Sequence, residues 1–259
     1  MLDHFPATKR FLKRAYSTLL EIEVRLKNLY WKICWGRYPS PQDIPIIINN
    51  YNRYEMLIQL IDSLESRGYH NIIILDNASS YPPLLDYYHK TDHKVIHLGG
   101  NIGYLALWKA PGVYKQFKKS FYVYTDPDVV LDNACPADFM SVFLQTLIKY
   151  PSCQKIGFGI RIDNLPDHYK DKLSVLQWEK QHWEHPYGDN LYKARIDTTF
   201  ALYRPFCKGG HSAHLVFRTG FPYVIRHLPW YQDSEHLSSE DSYYISHANQ
   251  STMWTSKNK

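Results

Sequence analysis

Short apolar runs that alternate with stretches of helical character constrain the fold of this chain more than any other feature. The runs are rich in Ile, Val and aromatic residues, which is the composition of buried strands. They are Pro45–Ile48, Asn71–Leu75, Val95–Leu98 and Phe121–Val130. Helical patterns follow at Tyr54–Arg67 and from Gly103 to about Lys119. Because such alternation favours parallel strands with helices on both faces, the predicted fold class is α/β, Rossmann-like, with a mostly parallel sheet.

A polar cluster follows each predicted strand. Because ligands of open α/β sheets bind at the carboxyl ends of strands, we expect these clusters to share one edge of the sheet. The clusters are Asn50, Tyr51, Asn52 and Arg53, then Asp76, then Asn101 and Gly103, and finally Asp126 and Asp128. Asp76 is predicted either to accept a hydrogen bond from a nucleotide base or to cap an Asx turn. Asn101 and Gly103 either open an anion-binding helix or form a tight turn.

The last cluster, Asp126-Pro127-Asp128, carries the most chemistry. Two carboxylates one residue apart repel each other unless a cation lies between them. A hard divalent ion accepts a few carboxylates and completes its shell with water and phosphate oxygens. The alternative is a solvated turn that contains two aspartates, and the neighbouring clusters favour the metal site.

Four motifs together resemble the nucleotide-sugar-binding half of family-2 glycosyltransferases with the GT-A fold. They are IIINNYNR at Ile46–Arg53, IIILDNASS at Ile72–Ser80, GGNIGY at Gly99–Tyr104 and TDPD at Thr125–Asp128. The resemblance covers residues 44–133 and is only general elsewhere. One departure is Asn49-Asn50, where that family usually has Pro-Thr, so the contacts to the nucleotide are expected to differ.

The resemblance implies a transferase that moves a sugar from a nucleotide-diphosphate donor to a saccharide or lipid-linked acceptor, with inversion. Asp126 and Asp128 would hold Mn²⁺ or Mg²⁺ against the diphosphate, and the other strand-tip residues would contact the nucleotide. His227 matches a late histidine that many GT-A enzymes use as an extra metal ligand. An inverting enzyme also needs a base, for which Asp197 is the first candidate, followed by Glu240 and Asp241. Asp197 is equally well explained as a turn-capping residue.

The second half of the chain is less regular. We expect helices at Phe139–Tyr150 and Ser238–Ala248, and strands at Lys155–Ile162, Ala194–Tyr203 and Ala213–Arg218. Residues 163–192 lack a clear periodicity and are predicted to form long loops. The predicted organisation is therefore a basic helical arm at 1–41, a nucleotide-sugar-binding half at 42–133 and an acceptor-binding half of the same domain at 134–259.

The positive charge of the chain is confined to the arm. Residues 1–41 hold eight Lys or Arg against three Asp or Glu, whereas the remainder holds 22 of each kind. A neutral body argues against nucleic-acid binding. The arm is predicted to be a helix from Thr8 to about Trp35. Its apolar side, with Leu12, Leu19 and Ile33 among its members, either packs on the domain or rests on an anionic membrane.

Cysteine usage and the amino terminus indicate the compartment. Four scattered cysteines without a CxxC pair favour a reducing environment. Met1–Arg14 lacks the apolar core of a signal peptide. We therefore expect a cytoplasmic protein, for which peripheral membrane association is one of the two alternatives for the arm.

Two other functions compete with glycosyl transfer. TDPDVV also resembles the nucleophile loop of haloacid-dehalogenase phosphatases, but that loop belongs after the first strand and needs a later paired aspartate, which this sequence lacks. A non-catalytic nucleotide-sugar-binding module is the other alternative. No GxxxxGK[ST] phosphate-binding loop is present.

Overall fold

The computed structural model describes residues 6–188, 190–210, 214–233 and 235–247, with side chains from residue 11 onward. Helices and strands alternate through the first half of the described chain, and short strands dominate the second. The helices are α1 (Pro6–Cys34), α2 (Glu55–Glu65), α3 (Pro82–Tyr88), α4 (Ala106–Lys109), α5 (Val113–Phe117), α6 (Phe139–Lys149), α7 (Lys172–Lys180) and α8 (Ser239–His247). The strands are β1 (Ile46–Asn50), β2 (Ile72–Asp76), β3 (Lys94–His97), β4 (Tyr122–Thr125), β5 (Val129–Leu131), β6 (Lys155–Ile160), β7 (Pro186–Gly188), β8 (Leu191–Lys193), β9 (Ala201–Tyr203) and β10 (Val216–His227).

All the described strands belong to one mixed sheet. Its order is β3-β2-β1-β4-β9-β6-β10-β8-β7, and β5 pairs separately with β10. The first four strands are parallel, as predicted, whereas β9 runs antiparallel to both β4 and β6. Parallel pairing resumes between β6 and β10. The predicted α/β class with a largely parallel sheet between helices is confirmed, and the sheet continues without interruption past residue 133.

The strands are apolar throughout because both faces of the sheet are covered. Successive side chains of a strand point to opposite faces. Ile46 and Ile48 accordingly pack into one core with α2 and α6, while Ile47 packs into a second core with α4 and α5. Every residue of β1, β2 and β4 is buried. This double coverage explains why these runs lack the alternation of a half-exposed strand.

Several predicted elements differ from the structure at places where local chain chemistry interrupts them. The helix predicted from Gly103 to Lys119 is two short helices, α4 and α5, because Pro111 and a left-handed Gly112 (φ 79°) separate them. The predicted strand Phe121–Val130 is divided into β4 and β5 by the Asp126-Pro127-Asp128 turn. Within residues 163–192, predicted to be loops, lie α7 and most of the β7–β8 hairpin.

The last two predicted strands also need adjustment. Only the final three residues of the predicted strand Ala194–Tyr203 are a strand, because residues 194–200 form the loop that leads to the candidate site. The strand predicted at Ala213–Arg218 corresponds to the start of β10, and Ala213 lies outside the described residues. Ala248, at the end of the last predicted helix, also lies outside them.

Helix α1 packs on the domain through a side that the apolar pattern did not single out. Leu20, Val24 and Trp31 are buried against the body, and Trp31 Nε1 donates a hydrogen bond to Lys119 O at 2.9 Å. The side predicted to pack is instead exposed to solvent. Its members are Leu12, Tyr16, Leu19, Leu26, Tyr30 and Ile33. The helix thus carries two apolar stripes, and the narrower one is in the core. In the part of the chain that the structure describes, each helix is too short or too polar to span a lipid bilayer.

A buried arginine connects α1 to the second half of the sheet. Arg204 is 1% exposed and donates hydrogen bonds to Asn28 Oδ1 of α1 and to the carbonyl oxygens of Leu147, Tyr150 and Cys153. These four acceptors are amide or carbonyl oxygens. The guanidinium group therefore satisfies the end of α6, whose last carbonyl groups lack helical partners.

Replacing Arg204 by Leu should lower the free energy of unfolding by about 3 kcal/mol, because several buried carbonyl oxygens lose their donor. Denaturant unfolding monitored by circular dichroism measures the change. Lys172→Leu is the matched control, since Lys172 pairs with Asp167 at the surface and its loss should cost less than about 1 kcal/mol. Equal losses in the two variants would contradict a structural function for Arg204.

Candidate functional site

A cavity of about 860 Å³ lies at the carboxyl end of β4. This volume is in the range of small-molecule sites. Asp126 and Asp128, which follow β4 directly, are in its wall together with Asp197, His227 and Arg53. The structure therefore brings together the paired carboxylates, the first candidate base and the late histidine, although Asp126 and His227 are 101 residues apart in the chain.

Asp126 and Asp128 influence each other strongly. Burial, followed by repulsion from Asp128 and then from Asp197, raises the pKa of Asp126 well above its usual range. Burial alone would also raise the pKa of Asp128, but His227 and Arg53 lower it below the ordinary value. The negative charge of Asp128 is therefore stabilised by neighbouring positive groups, whereas burial and repulsion disfavour a negative charge on Asp126. Such a pair is stabilised by a cation placed between its members.

The donor set fits a divalent cation that also binds ligand oxygens. His227 Nε2 lies 3.5 Å from Asp128 Oδ2, and its Nδ1 is buried without a hydrogen-bond partner among the described residues. In that part of the chain, no three His, Cys, Asp or Glu side chains form a group that would hold a metal ion by itself. Two carboxylates, with the remaining positions filled by phosphate oxygens and water, are a usual arrangement for Mg²⁺.

The loop before β9 closes over the carboxylate pair. Thr198 Oγ1 donates a hydrogen bond to Asp126 Oδ2, and the Asp126 backbone N–H donates to Thr198 O at 3.1 Å. The neighbouring Asp197 is exposed and lies in the cavity wall. Sequence reasoning missed Thr198, and its place beside Asp197 was the available clue. The loop holds Asp126 in position and leaves the Asp197 carboxylate accessible to a ligand.

A second residue missed from the sequence is Lys155, which sits 3% exposed at the start of β6 and lines the same cavity. Its Nζ donates to Ile196 O at 2.8 Å, to Asp197 O at 3.3 Å and to Tyr203 Oη at 2.9 Å. Burial lowers the pKa of Lys155 to about 7, although the negative charge of Asp197 opposes this. Lys155 thereby supports the backbone of the loop that carries Asp197.

The low pKa of Lys155 predicts a specific pH dependence of stability. The folded-state pKa of about 7 is below the unfolded value of 10.5, so the unfolded chain binds more protons between these pH values. Stability should therefore rise with pH across this window in the wild type. Relative to Lys155→Met, we expect the wild type to gain up to about 4 kcal/mol between pH 7 and 10. Denaturant unfolding of both proteins at several pH values measures this gain, and parallel pH curves would contradict it.

Helix α8 fixes the amino terminus of α2 through the two other candidate bases. Glu240 is buried, and its Oε2 accepts the backbone N–H groups of Tyr54 and Glu55, each at 2.6 Å. Asp241 pairs with Arg53 and accepts hydrogen bonds from Ser238 and Gln232. Both carboxylates have structural partners, whereas the structure gives Asp197 no side-chain hydrogen-bond donor among the described residues. Asp197 therefore remains the first candidate base.

Arg53 connects α8 to the paired carboxylates. Its guanidinium lies 3.9 Å from the centre of the Tyr244 ring, and its charge helps to lower the pKa of Asp128. Tyr51, also predicted to contact the donor, donates a hydrogen bond to His247 O at 2.9 Å. Tyr244 was not predicted and lies in the cavity wall. Of the predicted residues after β1, Arg53 thus lines the cavity itself, whereas Tyr51 bonds to α8.

The remaining predicted contacts lie outside the cavity wall and serve the loops around it. Asp76 is buried, with Oδ1 accepting from Ser79 N at 3.1 Å and Oδ2 lying 3.0 Å from His97 Nδ1. The bond to Ser79 fits the turn-capping alternative for Asp76. Asn50 Nδ2 donates to Tyr88 Oη at 2.9 Å. Asn52, with φ 51°, accepts from the backbone N–H groups of residues 80 and 81.

The glycine-containing loop after β3 is a turn and does not begin a long helix. Asn101 Oδ1 accepts a hydrogen bond from Gly103 N at 2.9 Å, and Gly103 has a φ of 82°. Asn77 holds the same loop by accepting from Ile102 N at 2.7 Å and donating to Gly103 O at 3.1 Å. The helix that follows, α4, has only four residues, so the structure favours the tight-turn alternative at Asn101 and Gly103, and their contact with a ligand stays a prediction.

No family model matches this chain. No curated protein shows a significant match either.

Proposed function

We propose that this protein is a metal-dependent glycosyltransferase with a GT-A fold, which transfers a sugar from a nucleotide-diphosphate donor with inversion. The observation that carries the proposal is the pairing of Asp126 and Asp128 at the end of β4, with Asp197 in the wall of the same cavity. The Asp126–Asp128 pair suits a cation bound to a diphosphate, and Asp197 suits an acceptor hydroxyl group. The parallel order β3-β2-β1-β4 supports the fold assignment, because it puts Asp126 and Asp128 at the end of a central strand.

On the donor side, the proposed tasks are binding and charge neutralisation. Asp126 and Asp128 would hold Mn²⁺ or Mg²⁺, with His227 beside Asp128 as a third group. The cation would neutralise the negative charge that develops on the leaving diphosphate. Thr198 keeps Asp126 oriented, and Arg53 stabilises the negative charge of Asp128. In this proposal the two aspartates act only in binding, and neither attacks the substrate.

On the acceptor side, Asp197 would take the proton from the attacking hydroxyl group of a saccharide or lipid-linked glycan. A general base must be able to reach that hydroxyl directly or through one water molecule. Asp197 can reach such a hydroxyl group because its side chain is exposed and lies in the wall of the cavity. Trp178, which is 46% exposed in the same wall, offers a flat apolar surface for a sugar ring.

The test is a panel of UDP-, GDP- and dTDP-sugars incubated with the protein and Mn²⁺, with nucleotide release as the measurement. We expect release or metal-dependent binding with one class of donor and none in the presence of a chelator. No release and no metal-dependent nucleotide binding with any donor would overturn the proposal. Binding without turnover in the presence of many acceptors would indicate a nucleotide-sugar-binding module, and phosphate release from a phosphate monoester would indicate a phosphatase.

A further inference from the structure

Helix α1 has an exposed apolar face, which the body of the protein touches at Tyr30, whose ring centre lies 5.6 Å from that of Phe206. It consists of the six exposed side chains of α1 named in the description of the fold, together with Phe11, Ile22 and Leu29. These nine side chains are 46–76% exposed. At 3.6 residues per turn they occupy roughly 140° of the helix circumference. Glu23 falls inside this arc and is paired with Lys27. An exposed apolar surface of this size marks an interaction site.

The apolar face is not the side through which α1 packs on the body. The helix is attached to the body by a different stripe, in which Leu20, Val24, Asn28 and Trp31 are buried. Trp31 packs edge-on against Phe121, with ring centres 5.2 Å apart. The two stripes are on opposite sides, so α1 is held firmly by one and presents the other outward.

Basic side chains border the apolar face. Arg14, Arg25 and Lys32 are exposed and fall along one edge of it. From Phe11 to Trp35 the chain has five Lys or Arg and two Asp or Glu, and one of the acids, Glu23, is paired with Lys27. An apolar face with basic residues along its edge is the pattern of helices that lie in the interface of an anionic bilayer.

We propose that α1 binds the surface of a membrane that contains anionic lipids, with its apolar face inserted between the headgroups. Tyr16 and Tyr30, both exposed on this face, have the apolar ring and polar tip that suit the headgroup level. A second copy of the chain is the competing occupant, since the apolar residues recur at spacings of three and four. The positive charge decides between them, because a second copy would bring like charges together whereas anionic headgroups attract them.

Binding through α1 leaves the candidate site accessible. Trp31 contacts Lys119 and Phe121, which precede β4, whereas Asp126 and Asp128 follow it. The helix and the cavity are therefore at opposite ends of this strand, about 13 Å apart along its axis. The proposed membrane contact is independent of the proposed transferase activity, so each can fail without the other.

The test is flotation of the full chain with vesicles of phosphatidylcholine alone or mixed in equal parts with phosphatidylglycerol. We expect binding to the mixed vesicles only, weakened by salt. Arg25→Gln with Lys32→Gln should weaken it about thirtyfold. Leu19→Asp with Leu26→Asp should abolish it, whereas Leu173→Asp, at a leucine 80% exposed on α7, should leave it unchanged. Circular dichroism unfolding curves confirm that each variant is folded.

Three results would overturn the proposal. The first is absence of binding to either vesicle, and the second is equal binding to both. The third is a dimer in light scattering that the Leu19→Asp and Leu26→Asp pair dissociates while vesicles are not bound, which would assign the face to a second copy.

Discussion

The Asp128→Asn variant is expected to lose metal-dependent donor binding and to lower kcat/KM at least about a thousandfold. A cation that neutralises a leaving group contributes several kcal/mol, and each 1.4 kcal/mol is a factor of ten in rate. Asparagine keeps the shape of Asp128 and can still bond to His227, but it removes one of the two negative charges on which the cation depends. It also removes the repulsion that raises the pKa of Asp126.

Thermal unfolding with and without Mn²⁺ separates these two effects. The wild type should be stabilised by Mn²⁺. The variant should show no such stabilisation. Without metal its stability should stay close to that of the wild type, because the lost repulsion between Asp126 and Asp128 offsets the lost attraction of Asp128 to His227 and Arg53.

Asp233→Asn is the matched control for this experiment. Asp233 lines the same cavity but bonds to Glu235 N and His236. Its variant should keep the response to Mn²⁺. If Asp128→Asn retained the full Mn²⁺ response, the pair would be a structural turn and the metal site would be abandoned.

The second large effect is expected at Asp197. Asp197→Asn should lower the transfer rate by roughly 10²–10⁴, the usual contribution of a general base, while the donor binds with unchanged affinity. The substitution is isosteric, and the backbone carbonyl that accepts a hydrogen bond from Lys155 remains. The fold of the loop and the position of Thr198 should therefore be preserved. The measurements are transfer rate at saturating donor and donor affinity by calorimetry.

Glu240→Gln distinguishes a catalytic from a structural carboxylate. Because Glu240 accepts two backbone N–H groups at the start of α2, its replacement should cost about 1 kcal/mol of stability and leave transfer intact. The opposite pattern, with transfer lost in Glu240→Gln and unchanged in Asp197→Asn, would move the base to α8. Unchanged transfer in both variants would leave Asp241 as the remaining carboxylate candidate.

Elements that depend on local chain chemistry were predictable. β1, β2 and β4 were found because their residues are apolar regardless of what packs on them, and α2 was found from its periodicity. The prediction failed where a local signal was overlooked, as at Pro111-Gly112, or where a strand is only three residues long, as in β7 and β8. Elements this short carry too little pattern to be recognised, since their existence depends on the strands that pair with them.

The candidate site was predictable only in part for a related reason. Asp126 and Asp128 could be placed at the cavity because both lie in one turn after a buried strand. The partners that define their chemistry come from elsewhere, with Thr198 closing over Asp126 and His227 approaching Asp128. Asp76 lies at an equivalent strand end but is occupied by Ser79, His97 and the hydroxyl group of Tyr88. A strand-end position thus predicts a polar neighbourhood without predicting which groups face the ligand.

The sequence by itself determined the α/β class, the order of the strands and helices in the first half and the carboxylate pair at the end of β4. These follow from side-chain periodicity and from the chemistry of residues adjacent in the chain. Only the tertiary structure decided that β9 enters the sheet antiparallel and carries Asp197 to the pair, and that Glu240 caps α2. It also decided which of the two apolar stripes of α1 is buried. The physical reason is that both stripes satisfy the same helical periodicity, and burial depends on which one meets a complementary surface elsewhere in the fold.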